Sequence, residues 1–560
     1  MSFDNFQLLS DELVVHIFQY LDTFSLFQCL HTCRRWRRLA SEDKLWERLS
    51  KQFPLLRVVE LFHGDYKKAC LHRVFHQQQN CPVNRLLVTL KDSTIVTCQP
   101  DGSDIHIVAK ANGQESNFKQ PCWDPFGKSI LFTYFRSFAS FICVVVDSTG
   151  KRKELAVSTP PFYYLWFSDG NYFSFIAEHG AAPLCLYLSS VLEEIAPPVE
   201  LCTLNTFFFD TCSQEDYIVA HINGDTIAVL NLKSFFSLAI NSSCSTSSSL
   251  GLNSDDSSEE KHLKSECIAT RNAGYFAAPQ WINTEQGDYI LYLERDDSIP
   301  SAQGLQADRF ILCKFHRAAM DMEYRMELGK FFGRKAFHMT CDMKYVAILE
   351  ESTTQVALPN VQNPTTLQVF QLDRTSWHME PIVFTREYMW NSGSSYRLVH
   401  QQHLQGVRAF QFSPDNQKLL CLVIQPIAEV TTSDRIEEQQ SVGNISSTSA
   451  SNENRTRRRK RKWESYFVVL DISNQRIYRY PNLILTCTFV CNFLPFFDQF
   501  IKSQTFWSPN SDAFCYVGQH ENAKRYGIEE EQGLFIQYLY QQRPCRWLMR
   551  NVEYATWSPR

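Results

Sequence analysis

The chain has 560 residues, 44% of them hydrophobic, with 55 Lys and Arg against 60 Asp and Glu and as many as 42 Phe, 23 Tyr and 11 Trp. That is too long for one ordinary core and too apolar for a disordered chain. A net charge of −5 weighs against nucleic acid as the main partner, because phosphate binding needs a basic face that releases counterions.

The first 30 residues hold acids rather than a basic run and lack an apolar core segment, so no signal peptide is expected. No run of 18 apolar residues exists, so no transmembrane helix is expected either. Nineteen cysteines form no C-x-x-C pair. Reduced thiols in a cytoplasmic or nuclear protein fit best, with Cys29/Cys33 and Cys487/Cys491 read as small buried hydrophobes rather than metal ligands.

The chain changes character near residue 85: apolar residues fall at helical spacing from Leu9 to Arg73, and short strand-like runs separated by turn residues follow from Arg85. A small all-α head on a large all-β body is the expected architecture. In the head, Ser10 is placed to cap a first helix, with Asp11 and Glu12 in its first turn, where carboxylates meet the positive end of the helix dipole. Leu13, Ile17 and Leu21 recur every four residues beside Val14 and Phe18, giving one broad apolar face. Asp22 and Thr23 break the pattern. A second helix carries Leu26 and Leu30, and a third, with its trailing turn, carries Trp36, Leu39, Leu45 and Trp46.

The order LSDELVVHIFQYLD, SLFQCLHTCRRWRRLA and LW resembles the F-box motif from Leu9 to about Leu49. The resemblance implies docking onto the Skp-type adaptor of cullin-RING ubiquitin ligases. It also implies that Leu9, Glu12, Leu13, Ile17, Leu21, Leu26, Leu30, Cys33, Trp36 and Leu39 form the adaptor-facing surface and the core beneath it. Ser10 departs from the family, which has proline there, and so removes a rigid apolar contact. The expected division is an F-box over 1–50, a helical linker over 51–84 interrupted at Gly64, and the body over 85–560.

The body repeats a unit: an aromatic anchor, a turn rich in Ser, Pro, Asp, Asn or Gly, then a strand of alternating apolar residues. Clear anchors are Trp123, Trp166, Phe412 and Trp507, weaker ones Phe209, Trp281 and Met339, and the last is Trp557. The first three lie 43 residues apart, and longer later intervals are assigned to polar insertions. A period of about 40–45 residues with four strands each is the signature of a β-propeller. The W-S-P-[DN] pattern is similar to TolB-type or degenerate WD-type repeats rather than the strict WD form. Three strands precede the first anchor and one aromatic strand ends the chain. Pairing them makes a composite blade that closes the ring. Eight blades follow, or seven if the Met339 copy is not a repeat.

Calling the strands of a blade a to d outward, the insertions at 295–308, 351–365, 425–463 and 519–533 all read as b-to-c loops of successive blades, and so share one face, where recognition loops gather. The Ser-rich insert 241–265 follows a c strand and falls on the opposite face; it and 425–463 are expected to be disordered. Within the latter, Arg455, Arg457, Arg458, Arg459, Lys460, Arg461 and Lys462 form a basic run that reads as a nuclear-import signal, an anion-binding patch or a solvated loop.

No G-x-S-x-G elbow, P-loop, H-E-x-x-H, EF-hand or dinucleotide fingerprint is present, and neither a cofactor nor a metal is implied. Two function classes remain. In one, the chain is the non-catalytic substrate receptor of an SCF-type ligase, with the propeller holding an unidentified protein substrate. In the other, it is an F-box and propeller scaffold outside a ligase.

Overall fold

In the computed structural model the described residues are 9–21, 23–51, 66–67, 84–112, 114–137, 139–146, 151–157, 159–161, 163–168, 170, 172–178, 184–191, 198–204, 208–212, 217–222, 224–232, 266–274, 278–298, 307–332, 335–351, 365–389, 396–426, 463–480, 483–485, 503–520, 533–539 and 545–559.

The head holds four short helices, α1 (Asp11–Phe18), α2 (Thr23–Thr32), α3 (Arg34–Leu39) and α4 (Asp43–Lys51). The expected trailing turn is thus a full helix, whose Leu45, Trp46 and Leu49 all point into the core. That core is small: Val14, Phe18, Leu26, Cys29, Leu30, Leu39 and Ala40 join them, and the Trp46 indole donates to the Ala40 carbonyl at 2.7 Å. Of the expected linker helix only Tyr66 and Lys67 are described; Tyr66 packs back on the head core and the Lys67 ammonium donates to the Ser41 hydroxyl at 3.0 Å. Gly64 lies outside the described residues.

The body is an eight-bladed propeller. Seven blades follow in chain order, over 115–157, 163–204, 209–270, 280–332, 335–405, 407–480 and 483–550. The eighth combines Leu86–Leu90, Ile95–Cys98 and His106–Ala109 with Val552–Trp557, which lies first in that sheet. There Leu86 faces Trp557 and Val88 faces Ala555, all four nearly inaccessible to water. A ring closed this way leaves no radial gap between the first and last blades.

Trp123, Met339, Phe412 and Trp507 each start a hairpin of one geometry. The residue after each of them caps the turn: the Ser413 hydroxyl accepts from Lys418 N at 3.0 Å, that of Ser508 from Ala513 N at 3.0 Å, that of Thr340 from Tyr345 N at 3.0 Å, and the Asp124 carboxylate from Lys128 N at 2.8 Å. Four residues after the anchor the backbone is left-handed, at Gly127, Gly170, Met343, Asn416 and Ser511. Glycine and asparagine suit that region and methionine does not. Met339 therefore heads a genuine blade whose turn residue disguises it in the sequence.

Adjacent blades are clasped through the first strands. Gln280, just before its anchor, donates to the Met339 carbonyl at 2.7 Å and accepts from Met339 N at 2.8 Å. Gln411 does the same for the Gln504 carbonyl and Phe506 N, at 2.6 and 3.0 Å, while the Thr556 hydroxyl bridges to Thr505. Buried amides used this way satisfy both their own polar atoms and a neighbouring strand's.

Candidate functional site

Two surfaces are assembled by this fold, one on the head and one around the propeller. On the head, the Ser10 hydroxyl accepts from Leu13 N at 3.4 Å and its carbonyl from Val14 N at 3.1 Å, so the serine starts α1 as an N-cap. The Glu12 carboxyl is held below its ordinary value, first by its own backbone N–H and then by Ser10. Asp11 is held low by Arg38 and Arg35, the latter donating from Nε at 2.8 Å; Arg35 also reaches the Leu9 carbonyl. These contacts fasten α3 to the start of α1. Arg48 donates to the Leu21 carbonyl at 2.9 Å and so holds the chain just beyond its end.

With α1 oriented by these contacts, Val14 and Phe18 point inward, and the ring of Phe18 meets Trp36 edge-on at 5.3 Å. The adjoining stripe points outward: Leu13 is 52% exposed, Ile17 38% and Tyr20 78%. A spacing of four puts Leu13 and Ile17 on one side of α1, and Tyr20 follows in the turn just beyond its end, its N–H donating to the Ile17 carbonyl at 3.1 Å. Of the eight large hydrophobics exposed among the described side chains, three lie between Leu13 and Tyr20.

The ten residues expected at the adaptor surface and its underlying core separate by position. Leu26, Leu30 and Leu39 are core; Leu9, Leu21 and Trp36 are half-buried around it; Glu12, Leu13, Ile17 and Cys33 are exposed. Cys33 is also the N-cap of α3, its sulfur accepting from Trp36 N at 3.4 Å. Tyr20, absent from the expected set, is the most exposed of the stripe, and His16 meets its ring edge-on at 5.4 Å. A step of three from Ile17 reaches Tyr20, whereas the expected set continued by four to Leu21.

On the propeller, the strand order makes 295–307, 351–365, 426–463 and 520–533 connections between second and third strands of four successive blades, and 231–266 a connection between third and fourth strands. The face assignment read from the sequence therefore holds. The interiors of these insertions, including Arg455 to Lys462 and the Ser-rich run, lie outside the described residues. Gln425, Pro426 and Trp463 belong to strands rather than to the expected insertion, paired as Gln425 with Glu464 and Pro426 with Trp463.

The 73-residue interval from Met339 to Phe412 has a second cause besides its b-to-c loop. The outer strand of blade 5 is split into His378–Pro381 and His403–Gln405, both paired with Thr365–Asp373. Between them the chain crosses to blade 6, where Phe384–Met389 runs parallel to the outer strand Arg476–Tyr480 and turns back as Tyr396–Gln401. The result is a six-stranded sheet. Glu387, 2% exposed, is clasped there by Arg479 and Arg397. Burial acts to raise its pKa, but Arg479 and then Arg397 outweigh it and hold the carboxyl below its ordinary value.

Nine of the described cysteines, Cys98 among them, are buried, and burial pushes the Cys98 thiol up to about 11. Cys487 and Cys491 lie outside the described residues. Among the described residues no group of three His, Cys, Asp or Glu is arranged to hold a metal ion, and no helix is long and apolar enough to cross a membrane.

Against known families, residues 11–52 match the F-box-like model. The chain carries an F-box-like motif. No curated protein matches the chain in sequence. Solved structures similar to it include TolB from Acinetobacter baumannii, 10% identical over 88% of this chain and 71% of that one with a TM-score of 0.32. The C-terminal WD40 domain of Sif2 is 12% identical over 71% of this chain and 82% of that one, with a TM-score of 0.37. The tricorn protease is 10% identical over 85% of this chain but only 39% of its own, with a TM-score of 0.35. The motif and the propeller together make an F-box and propeller adaptor architecture.

Proposed function

We propose that this protein is the substrate-receptor subunit of an SCF-type ubiquitin ligase: the head docks on a Skp-type adaptor and through it the cullin-RING core, and the propeller holds the protein to be ubiquitylated. The observation that carries the proposal is the water-exposed stripe Leu13, Ile17 and Tyr20 inside an F-box-like motif, on and just beyond a helix whose other side already fills the core. An apolar stripe left in water on so small a domain is what a partner would cover. In this reading 1–50 is the docking module, 51–84 sets its distance from the propeller, and the chain itself performs no bond chemistry.

Ser10 contributes a helix cap where the family has proline, so the first turn keeps its order while losing an apolar contact. Co-purification tests the proposal. Full-length protein should bring down a Skp-type adaptor and a cullin, and Leu13→Ala with Ile17→Ala should lose both while remaining folded; retention of both by the folded double variant refutes it. Removing residues 1–50 should let a bound substrate accumulate. The basic run Arg455 to Lys462 is proposed to direct nuclear import, and an unchanged nuclear fraction after deletion of Arg457 to Lys462 would refute that part alone.

A further inference from the structure

We propose that Tyr20 is a phosphorylation site whose charge decides whether the head can dock. The inference rests on the reading of the α1 stripe as the adaptor-facing surface and adds a switch to it. Tyr20 is 78% exposed, the highest value among the large hydrophobics exposed in the described residues. Of the chain's 23 tyrosines, Tyr324 is the other described one exposed to this degree or near it, at 39%. It lies in the outer strand of blade 4, Asp321–Phe332, with the Lys314 ammonium 5.7 Å from its ring centre. A kinase meeting the folded chain therefore finds one described phenol that stands well clear of the fold.

Tyr20 also sits where the backbone yields readily. The helix ends at Phe18, Gln19 is its C-cap, and Tyr20 belongs to the turn that follows. Tyr324, by contrast, is held in a strand ladder opposite Lys314. A helix end opens at far less cost than a paired strand, and a kinase must draw the phenol and its flanking backbone into its own cleft. The transfer is balanced with ATP as phosphoryl donor. The phenol oxygen bonds to the γ-phosphorus as the bond from that phosphorus to the ADP oxygen breaks, and the phenol proton is released. A phosphatase reverses the step with water, returning the phenol and inorganic phosphate.

A phosphate at this place is set to repel. It adds about 1.5 to 2 negative charges at neutral pH. Those charges fall just past the C-terminal end of α1, where the helix dipole is negative, two residues before Asp22, and in a stripe otherwise made of Leu13 and Ile17. The two arginines that α3 turns toward α1, Arg35 and Arg38, are held by Asp11 at the opposite end of the helix. A partner covering Leu13 and Ile17 would have to strip water from the phosphate, which costs far more than covering a phenol. The coupling is reciprocal: an adaptor that covers Tyr20 shields it from the kinase.

The test treats full-length protein with ATP and a broad-specificity tyrosine kinase, maps the modified residues by mass spectrometry, and titrates treated and untreated protein with a recombinant Skp-type adaptor by calorimetry. Tyr20 should be modified ahead of Tyr324, and adaptor added beforehand should slow its modification. Treated protein should bind the adaptor at least about tenfold more weakly than untreated protein. Tyr20→Phe protein should bind equally before and after treatment, which assigns the loss to this residue and not to phosphates elsewhere. An unmodified Tyr20, equal affinities of the treated and untreated chain, or a Tyr20→Phe protein weakened by treatment as much as the unaltered chain would overturn the inference. Absence of adaptor binding by the untreated protein is a different failure: it overturns the docking reading, and the switch with it.

Discussion

The head packs ten buried side chains under four helices and still leaves Leu13, Ile17 and Tyr20 in water, whereas the propeller spends its last strand covering the edge of its first. Both regions begin from the same difficulty, apolar or hydrogen-bonding surface that a lone element cannot satisfy. In the propeller the chain returns to itself: Trp557 is 2% exposed, Trp557 N donates to the Thr505 carbonyl at 2.8 Å, and Ser558 and Arg85 exchange hydrogen bonds through the Arg85 N–H and the Ser558 hydroxyl at 3.0 Å. In the head nothing of the described chain covers the α1 stripe. The difference separates a surface covered within the fold from one left facing water.

The sharpest way to break this comparison is at its two tryptophans. Trp557→Ala removes a fully packed indole from the closing strand and should lower propeller stability by about 3–5 kcal/mol, seen as an earlier denaturant midpoint of the larger unfolding transition. Trp46→Ala should cost the head a similar amount, enough to unfold so small a core, while the propeller transition stays where it was. A propeller midpoint that moves with Trp46→Ala would show that the two regions unfold as one.

A smaller effect on stability with a large one on binding is expected from the stripe. Leu13→Ala and Ile17→Ala are exposed changes that should each stay within about 0.5 kcal/mol in melting experiments. Adaptor affinity should nonetheless fall at least about tenfold, or about 1.4 kcal/mol, by calorimetry. Leu26→Ala should do the reverse, destabilising the head by about 2–5 kcal/mol through a cavity.

The smallest expected effect is in pH dependence, where the regions should differ in sign. Asp11 in the head is held low by Arg38 and Arg35, so its stabilising contribution is full above the ordinary carboxylate range and is lost as the pH falls below it. Asp124 in the propeller is pushed up to about 6 by burial, against the pull of the Lys128, Ser129 and Phe126 backbone groups. Its protonated form favours the fold, so that contribution is full below about pH 4 and is lost as the pH rises through 6. Asp11→Asn should flatten the acid limb of the head's stability curve, and Asp124→Asn the limb between pH 4 and 6 of the propeller's, each followed by thermal melting across pH.

Some of this was plain in the residues and some was hidden by them. The eight-fold ring was legible because an aromatic anchor followed by a turn residue keeps its spacing from the strand whatever is inserted later. Met339 was the weakest copy because its left-handed turn position is Met343, which gives no turn signal of its own, while Asn416 and Gly127 do. The blade 6 hairpin was missed because it interrupts an outer strand and pairs with a different blade. Its two runs, FTREYM and YRLVHQ around NSGSS, have a hairpin's pattern but were absorbed into an interval credited to a polar insertion.

In the head, periodicity alone placed Leu13, Ile17, Val14 and Phe18 on one broad apolar face. Only packing divided that face, because a helix turns 100° per residue and neighbouring stripes differ by less than a hydropathy pattern resolves. The α3 arginines that grip Asp11 and Leu9 fix the rotation of α1, sending Val14 and Phe18 inward and Leu13 and Ile17 outward. Residue order thus determined the two-part architecture, a ring of eight or seven blades and the composite closing blade, which follow from local spacing, and the F-box-like motif, which follows from the residues themselves. The clasps from Gln280 and Gln411, the splitting of the blade 5 outer strand and the exposed stripe of α1 were decided by tertiary structure, since each depends on contacts between residues far apart in the chain.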